Sequence, residues 1–557
     1  YTVAPATYPN LSYDTAKDMS GISIYGVVPN VVAISPKKNI KTLKELIAAA
    51  KSRELSFASA GVASASHWAV ERVLIAGGEY KCLDRIEQVN PAINAVTAMC
   101  VARARKETKA AETAVRRGED LPLLHGLPTG IKDLEETKDL LTTYGSPLYR
   151  DYVPNYDNVM VGRVRAAGGV VVGKTNVPEF GAGSNSRNPV WGATGNPFNP
   201  TLNAGGSSGG SAAALATDML PVCTGSDTGG SLRNPAAFCG VVGFRPSPGM
   251  VAVERRAMGW TPISVLGPMG RSVADVCLLY ATQIGQHDSD PLSFPLDPMA
   301  YAEPWPVDLG SLRVAYTEDF GGAPVERGIR QTFRAKIKAM KPLFRSLDKI
   351  DVDYGGADRC FDIVRAVSFL SRYQDAYTKN RKMLGPNIVA NYEIGAKLSL
   401  ADFAWAHGEQ TRLFRAFQEH YKDYDLVIGP TVGFTPFPWK QLYIEQMDNE
   451  KLKTYYHWMA TKYFISLVTN PAVSLPCGSD HKKMPFGLQV IGRFRGDGEV
   501  LGAAHAMEQA FATNPELARP RPNLDKLRKP VAALKSIVTH PPKLNAKVSK
   551  GPAPGAL

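Results

Sequence analysis

Residues 203–249 read NAGGSSGGSAAALATDMLPVCTGSDTGGSLRNPAAFCGVVGFRPSPG, and this stretch decides the fold. It carries two glycine-serine loops, residues 205–211 and 229–231. An alanine-rich run (212–216) and a short apolar stretch (220–223) lie between them. Ser-Gly-Gly ahead of alanines predicts a loop feeding a helix N-terminus, where unpaired backbone N–H groups favour negative charge. The second loop, Asp227-Thr228-Gly229-Gly230-Ser231, puts a serine after backbone with almost no side chain. Such a backbone lets a carbonyl approach main-chain N–H donors, as an oxyanion hole requires.

The 557 residues can bury a sizeable core and hold more than one domain. Hydrophobic content of 44% and charged content of 21% belong to a globular protein. No run of about 18 apolar residues reads as a membrane span. The seven cysteines are scattered and lack CxxC spacing, so they read as reduced core residues, with no disulfide frame and no zinc site. The formal charge of +12 hints at nucleic acid, but nine Lys/Arg against one acid from Arg519 onward account for most of it. No aromatic-basic motif accompanies that Pro-rich end, and it reads as a disordered tail spanning 516–557.

Tyr1 opens the chain without an initiator Met or a recognisable export signal, and a cytoplasmic location is expected. Apolar strands at 31–35 and 55–60 alternate with helices at 41–50 and 65–76, which reads as α/β. The piece FASAGVASASHWAVE (57–71) resembles the tricarboxylate-transporter family of solute-binding receptors. In that family a strand, a Ser/Gly loop and a helix N-terminus hold a carboxylate. The resemblance covers residues 1–78, part of one lobe, and implies a fused or vestigial segment or a carboxylate-binding fragment.

A second unit, 82–515, begins with a short helix at 83–89, ended by Asn90-Pro91, and a charged helix at 104–117. Then comes Leu-Pro-Leu-Leu-His-Gly-Leu-Pro-Thr-Gly-Ile-Lys-Asp (121–133), in which Lys132 follows a buried-looking segment. Gly168, Gly173, Lys174 and Thr175 match G-x-x-x-x-G-K-T literally. A phosphate loop needs those intervening residues as loop, whereas Gly-Val-Val-Val reads as strand, so nucleotide binding is set aside. Further on, helices are expected at 158–167, 273–284, 327–347, 455–468 and 501–511. Strands are expected at 169–172, 312–317, 426–429 and 484–492, with residues 358–422 mainly helical.

Lys132, Ser207 and Ser231, set in the segment 126–133, GGSSGGSAA and GSDTGGSLRNPAAFCGVVGFRPS, with PAVSLPCG and GLQVIG later, resemble the amidase signature family. The resemblance covers about 82–511. It implies an α/β fold with a mixed central β-sheet sandwiched by helices, here preceded by the partial α/β segment. It implies an amidase, acting on a small-molecule amide with no cofactor or metal, no nucleic acid and no membrane; it allows a homodimer. Within it, Ser231 is the nucleophile, Ser207 bridges on a cis peptide, and Lys132 is the base. The chemistry is consistent. A serine hydroxyl needs a base to take its proton, and a lysine serves only when burial lowers its pKa. The backbone N–H groups of Thr228, Gly229, Gly230 and Ser231 are expected to hold the oxyanion, at roughly 3–4 kcal/mol per donor. Ser208 is expected to support the loop; Asp227 and Arg233 are expected to brace the nucleophile.

Other readings stay open. Gly206-Ser207-Ser208-Gly209-Gly210 also fits G-x-S-x-G, but a nucleophile elbow follows a strand and needs Asp then His downstream. The residues before this serine are Pro/Asn-rich and no histidine has such a context. A glutamine-hydrolysing amidotransferase subunit is a further alternative, although residues 261–269 lack the pattern associated with it. Tyr144, Trp191, Phe434, Phe437, Trp439 and Trp458 read either as an apolar pocket or as core.

Overall fold

The computed structural model describes residues 78–549. The chain divides into two units, Tyr1–Gly77 and Gly78–Leu557. The first, with the four elements and the receptor-like piece read there, lies outside the described residues.

Eleven strands of the second unit make one sheet. They are β1 Val96–Met99, β2 Pro128–Lys132, β3 Val170–Thr175, β4 Val222–Asp227, β5 Val242–Arg245 and β6 Val265–Gly270. After these come β7 Arg313–Tyr316, β8 Ser346–Lys349, β9 Leu426–Pro430, β10 Ala472–Ser479 and β11 Pro485–Ile491. The order across the sheet is β1-β3-β2-β4-β6-β5-β10-β11-β9-β7-β8. β2 runs parallel to β3 and β4, and β7 parallel to β8 and β9. The pairs through β6, β10 and β11 are antiparallel. This is the mixed α/β architecture the sequence implied.

Both faces of the sheet are apolar. Because side chains alternate along a strand, neighbouring residues enter different cores. Val314, Ile428, Val473 and Val490 pack with Phe333, Tyr280 and Met507. Ala315, Val427, Ala472 and Ile491 pack with Phe361, Phe417 and Phe464 on the other side. Helices Val273–Gln283, Arg327–Met340 and Asp497–Ala512 thus cover one face, and Ala357–Asn380, Leu400–Glu419 and Ala460–Leu467 the other. Strands covered on both sides read as near-continuous apolar runs, as VVV in β3 does.

Two expectations need correction. The first helix runs from Gly78 to Ile93, past Asn90-Pro91. Burial of Val89, Ala92 and Ile93 holds a last turn in which proline removes only one donor. The tail expected to be disordered is ordered along the body as far as 549. Leu527 packs with Leu83 and Ile86, and Leu534 with Trp439 and Ala193. Val531 N–H donates to Pro91 O at 3.1 Å and Ser549 N–H to Val153 O at 2.8 Å. The leucines spaced through this basic segment supply the apolar anchors that its overall composition hides. Among the described residues, no helix is long and apolar enough to cross a membrane.

Candidate active site

The parallel strands β2, β3 and β4 end side by side, at Lys132, Thr175 and Asp227. Clefts beyond the carboxyl ends of such strands are where α/β sheets bind ligands. The first glycine-serine loop approaches from helix Gly209–Ala216, which packs so tightly on the end of β3 that a Cβ on Gly210 would lie 2.1 Å from Asn176 N. Ser211 Oγ sits 2.7 Å from Thr175 Oγ1 and donates to Thr224 O at 2.9 Å, tying the loop to β3 and β4.

Lys132 is fully buried. Its Nζ donates to Ser207 Oγ at 2.7 Å, Ser226 Oγ at 2.8 Å and Ser208 Oγ at 2.9 Å. The peptide bond Gly206–Ser207 is cis. Burial draws the Lys132 pKa down to about 7, against the pull of Glu135 and Asp227. Burial also pushes the Glu135 carboxyl up to about 7, assisted by Glu136. An amine with hydroxyl neighbours and a pKa near neutrality can exchange protons with them at ordinary pH.

Ser231 follows β4 at the mouth of the same cavity, half-buried, with Ser207, Ser226, Thr228 and Gly229 on the wall beside it. As a lining residue, its hydroxyl can meet a carbonyl that enters the cavity. Ser208 N–H donates to Ser231 O at 3.2 Å, linking the two loops. Gly230 has φ +113°, and a Cβ there would sit 2.6 Å from Lys462 carbons, which explains glycine at this position.

Asp227 organises the loop that carries Ser231. Its carboxylate accepts from Gly230 N at 2.9 Å, Leu232 N at 3.1 Å, Arg233 Nη2 at 2.9 Å and Arg245 Nη1 at 3.1 Å. Burial alone would raise its pKa, but Arg233 and Arg245 hold it well below the usual carboxylate range. Arg233 is itself held by Gln489 Oε1 at 2.6 Å, Ser466 Oγ at 2.9 Å and Lys462 O at 3.0 Å. The Lys462 amine is buried beside this array without a hydrogen-bond partner among the described residues, and burial, then Arg233, drives its pKa well below the usual lysine value.

Lys132, Ser207, Ser208, Thr228, Gly229, Gly230 and Ser231 therefore converge, with Asp227 and Arg233 beneath. One expected donor differs: the Gly230 N–H is turned into Asp227. Thr228, Gly229 and Ser231 N–H have no acceptor among the described residues. Sequence reasoning missed Ser226 and Arg245, although Ser226 adjoins Asp227 and faces Lys132 across β4. The six aromatic residues read as pocket or core are not on the cavity wall, which carries Leu134, Phe180, Ile263, Phe369, Tyr373 and Met459 instead. Phe434, Phe437 and Trp458 belong to the core behind it. Lys174 lies in β3 and spends its ammonium on Glu135 O and Thr137 Oγ1, so the phosphate-loop match is strand, as read. Among the described residues, no group of three His, Cys, Asp or Glu is placed to hold a metal.

Comparison with known proteins gives two family matches: Amidase over residues 80–501, and tripartite tricarboxylate transporter family receptor over residues 1–126. The chain is 30% identical to a glutamyl-tRNA(Gln) amidotransferase subunit of Thermoanaerobacter pseudethanolicus, over 78% of this chain and 92% of that one. It is 32% identical to the corresponding subunit of Halalkalibacterium halodurans, over 76% and 92%. Its fold matches a bacterial aryl acylamidase with a TM-score of 0.72 at 24% identity, covering 89% of this chain and 99% of that one. It also matches 6-aminohexanoate cyclic dimer hydrolase with a TM-score of 0.70 at 25% identity, covering 82% and 98%.

Proposed function

Because the chain belongs to the amidase signature family and is a hydrolase of amide C–N bonds, we propose that it cleaves a small-molecule carboxamide through a Ser231 acyl-enzyme. The observation that carries this reading is the buried Lys132 amine, 2.7 Å from Ser207 Oγ with a pKa near 7. Neutral Lys132 takes the Ser207 proton as Ser207 takes that of Ser231, and Ser231 Oγ attacks the carbonyl carbon. The oxyanion is held by the N–H groups of Thr228, Gly229 and Ser231, each worth roughly 3–4 kcal/mol. The C–N bond breaks as the proton returns through Ser207 to the departing nitrogen, and ammonia or an amine leaves. Water then attacks the ester by the same relay, giving the carboxylate and free Ser231. Ser226 and Ser208 hold the lysine amine in place, while Asp227 and Arg233 fix the backbone of the donors.

Turnover of a panel of primary and secondary amides by wild type and Ser231→Ala tests this. Loss of turnover with an intact fold supports it; unchanged turnover refutes it. A second reading, a glutamine-hydrolysing subunit working with partners, draws on the amidotransferase relatives at 30–32% identity. It predicts glutamine hydrolysis that rises with partner and ATP. All seven cysteines are free thiols, which supports action in a reducing compartment, the cytoplasm.

A further inference from the structure

One wall of the cavity that holds Ser231 comes from a single helix, Ala357–Asn380. Arg365, Ser368, Phe369 and Arg372 line it at spacings of three, four and seven residues, one face of that helix. Arg256 lines the cavity too, and among the described residues no Asp or Glu does. The arginines are not equivalent. Arg256 has its carboxylate, Asp290, at 3.9 Å and gives Nη1 to Thr261 O and Ser264 O at 2.7 Å each.

Arg365 has no such partner. It is 5% exposed. Its Nε donates to Asn391 Oδ1 at 3.1 Å and its Nη2 to Tyr455 OH at 2.7 Å, both neutral acceptors. Its guanidinium carbon stands 4.7 Å from the Phe369 ring centre and 5.2 Å from that of Tyr456. Among the described residues, no carboxylate comes within ion-pair distance of it; Asp362, one turn back, accepts from Tyr456 OH instead. Ring faces and neutral acceptors fix the plane of the fork, while Asp362 acts on it only through space and gives it no hydrogen bond, and a buried charge without a hydrogen-bonded counter-charge is costly. A carboxylate entering the cavity would supply that hydrogen-bonded counter-charge and accept from the fork in the geometry that arginine favours.

We propose that the amide cleaved here carries a second, anionic end, a carboxylate, which Arg365 receives on the helical wall of the cavity. The inference rests on the hydrolytic reading of Ser231 and names the substrate class of that site: ω-amido acids and their N-substituted relatives. Arg365 acts as the specificity-determining residue. Among the described residues the wall brings no carboxylate to repel an anionic end.

The test is calorimetric titration of the full chain carrying Ser231→Ala, which binds without turnover. Succinamate, glutaramate and adipamate are compared with the uncharged diamides of equal length. At least one acid is expected to bind about tenfold or more tightly than its diamide. Adding Arg365→Met is expected to bring the acid-to-diamide ratio to about one; Arg365→Lys, which keeps the charge and loses the fork, retains part of it. The melting temperature of each variant reports folding. Equal affinity for acids and diamides, binding of none of the acids, or a preference that survives both Arg365 variants overturns the proposal. Turnover of diamides by wild type without acid preference would overturn it and leave the hydrolytic reading standing. Arg365-dependent acid binding with no amide turnover in wild type would uphold the anion subsite and refute the hydrolytic reading.

Discussion

Lys132 Nζ stands 2.7 Å from Ser207 Oγ, with the Ser226 and Ser208 hydroxyls within 2.9 Å on its other sides. An amine so placed has three hydroxyl partners and no exposed surface. If Ser207 relays the proton as proposed, the protonation state of Lys132 governs that relay, and this dependence is measurable.

The pH profile comes first. Burial brings the Lys132 pKa down to about 7. The base is protonated below that value and free above it. The kcat/KM for an uncharged amide should therefore climb about tenfold per pH unit below 7 and level off above it. Replacing Lys132 by Met should cost roughly 10²–10⁴ in kcat/KM and remove the limb. A flat wild-type profile from about pH 5 to 9 would contradict the role of Lys132.

Asp227 should matter for stability as well as rate. It is fully buried between Arg233 and Arg245. Asp227→Asn leaves two buried cations short of their counter-charge, a loss of about 3–5 kcal/mol read from urea unfolding. The folded carboxyl is held below its usual range although burial alone would raise it. Its stabilisation is thus complete above the unfolded carboxyl value and is lost as pH falls below about 4. Equal acid sensitivity of wild type and Asp227→Asn would contradict this.

Gly230 adopts φ +113° against the Lys462 side chain. Gly230→Ala puts a Cβ into that contact and strains the backbone by about 1–3 kcal/mol. The flanking N–H donors turn with it, and kcat should fall roughly 10²-fold, about the cost of losing one oxyanion donor. Wild-type kcat in this variant would remove the loop from the chemistry.

The Lys462 amine is buried without a hydrogen-bond partner among the described residues. Its folded pKa lies well below the usual lysine value, first through burial and then through Arg233. The unfolded chain therefore binds a proton more readily, and wild-type stability should rise with pH until about 10.4, where free lysine titrates. Lys462→Met, close in volume, should be the more stable protein near neutrality and lack that slope. Urea midpoints of the two proteins across pH 6–10 decide this; parallel curves would contradict it.

The two glycine-serine loops announce themselves by composition, because glycine and serine cluster where backbone must come close to a ligand. Lys132 drew a role only from the family resemblance; alone it is one lysine after a buried-looking segment. Four of the eleven strands were legible as apolar runs, Val-Val-Val in β3 among them, while the mixed sheet as a whole came from the family resemblance. What was not legible depends on which elements meet. Ser226 is one serine among many until β4 sets its hydroxyl 2.8 Å from Lys132. The Gly230 N–H reads as an oxyanion donor until Asp227 takes it. Trp458 and Phe434 read as well for a pocket as for a core, and only packing decides. The arginine stripe of 365 and 372 was visible at helical spacing, but residues 358–422 were read for helicity alone. The basic tail was misread because average composition outweighed the anchoring leucines at 527 and 534.

Ser231 as nucleophile is put to the test by reaction with a serine-directed fluorophosphonate, read by intact mass. A single adduct is expected on wild type and none on folded Ser231→Ala. An adduct that persists on Ser231→Ala, or folded wild type that takes none, would contradict it.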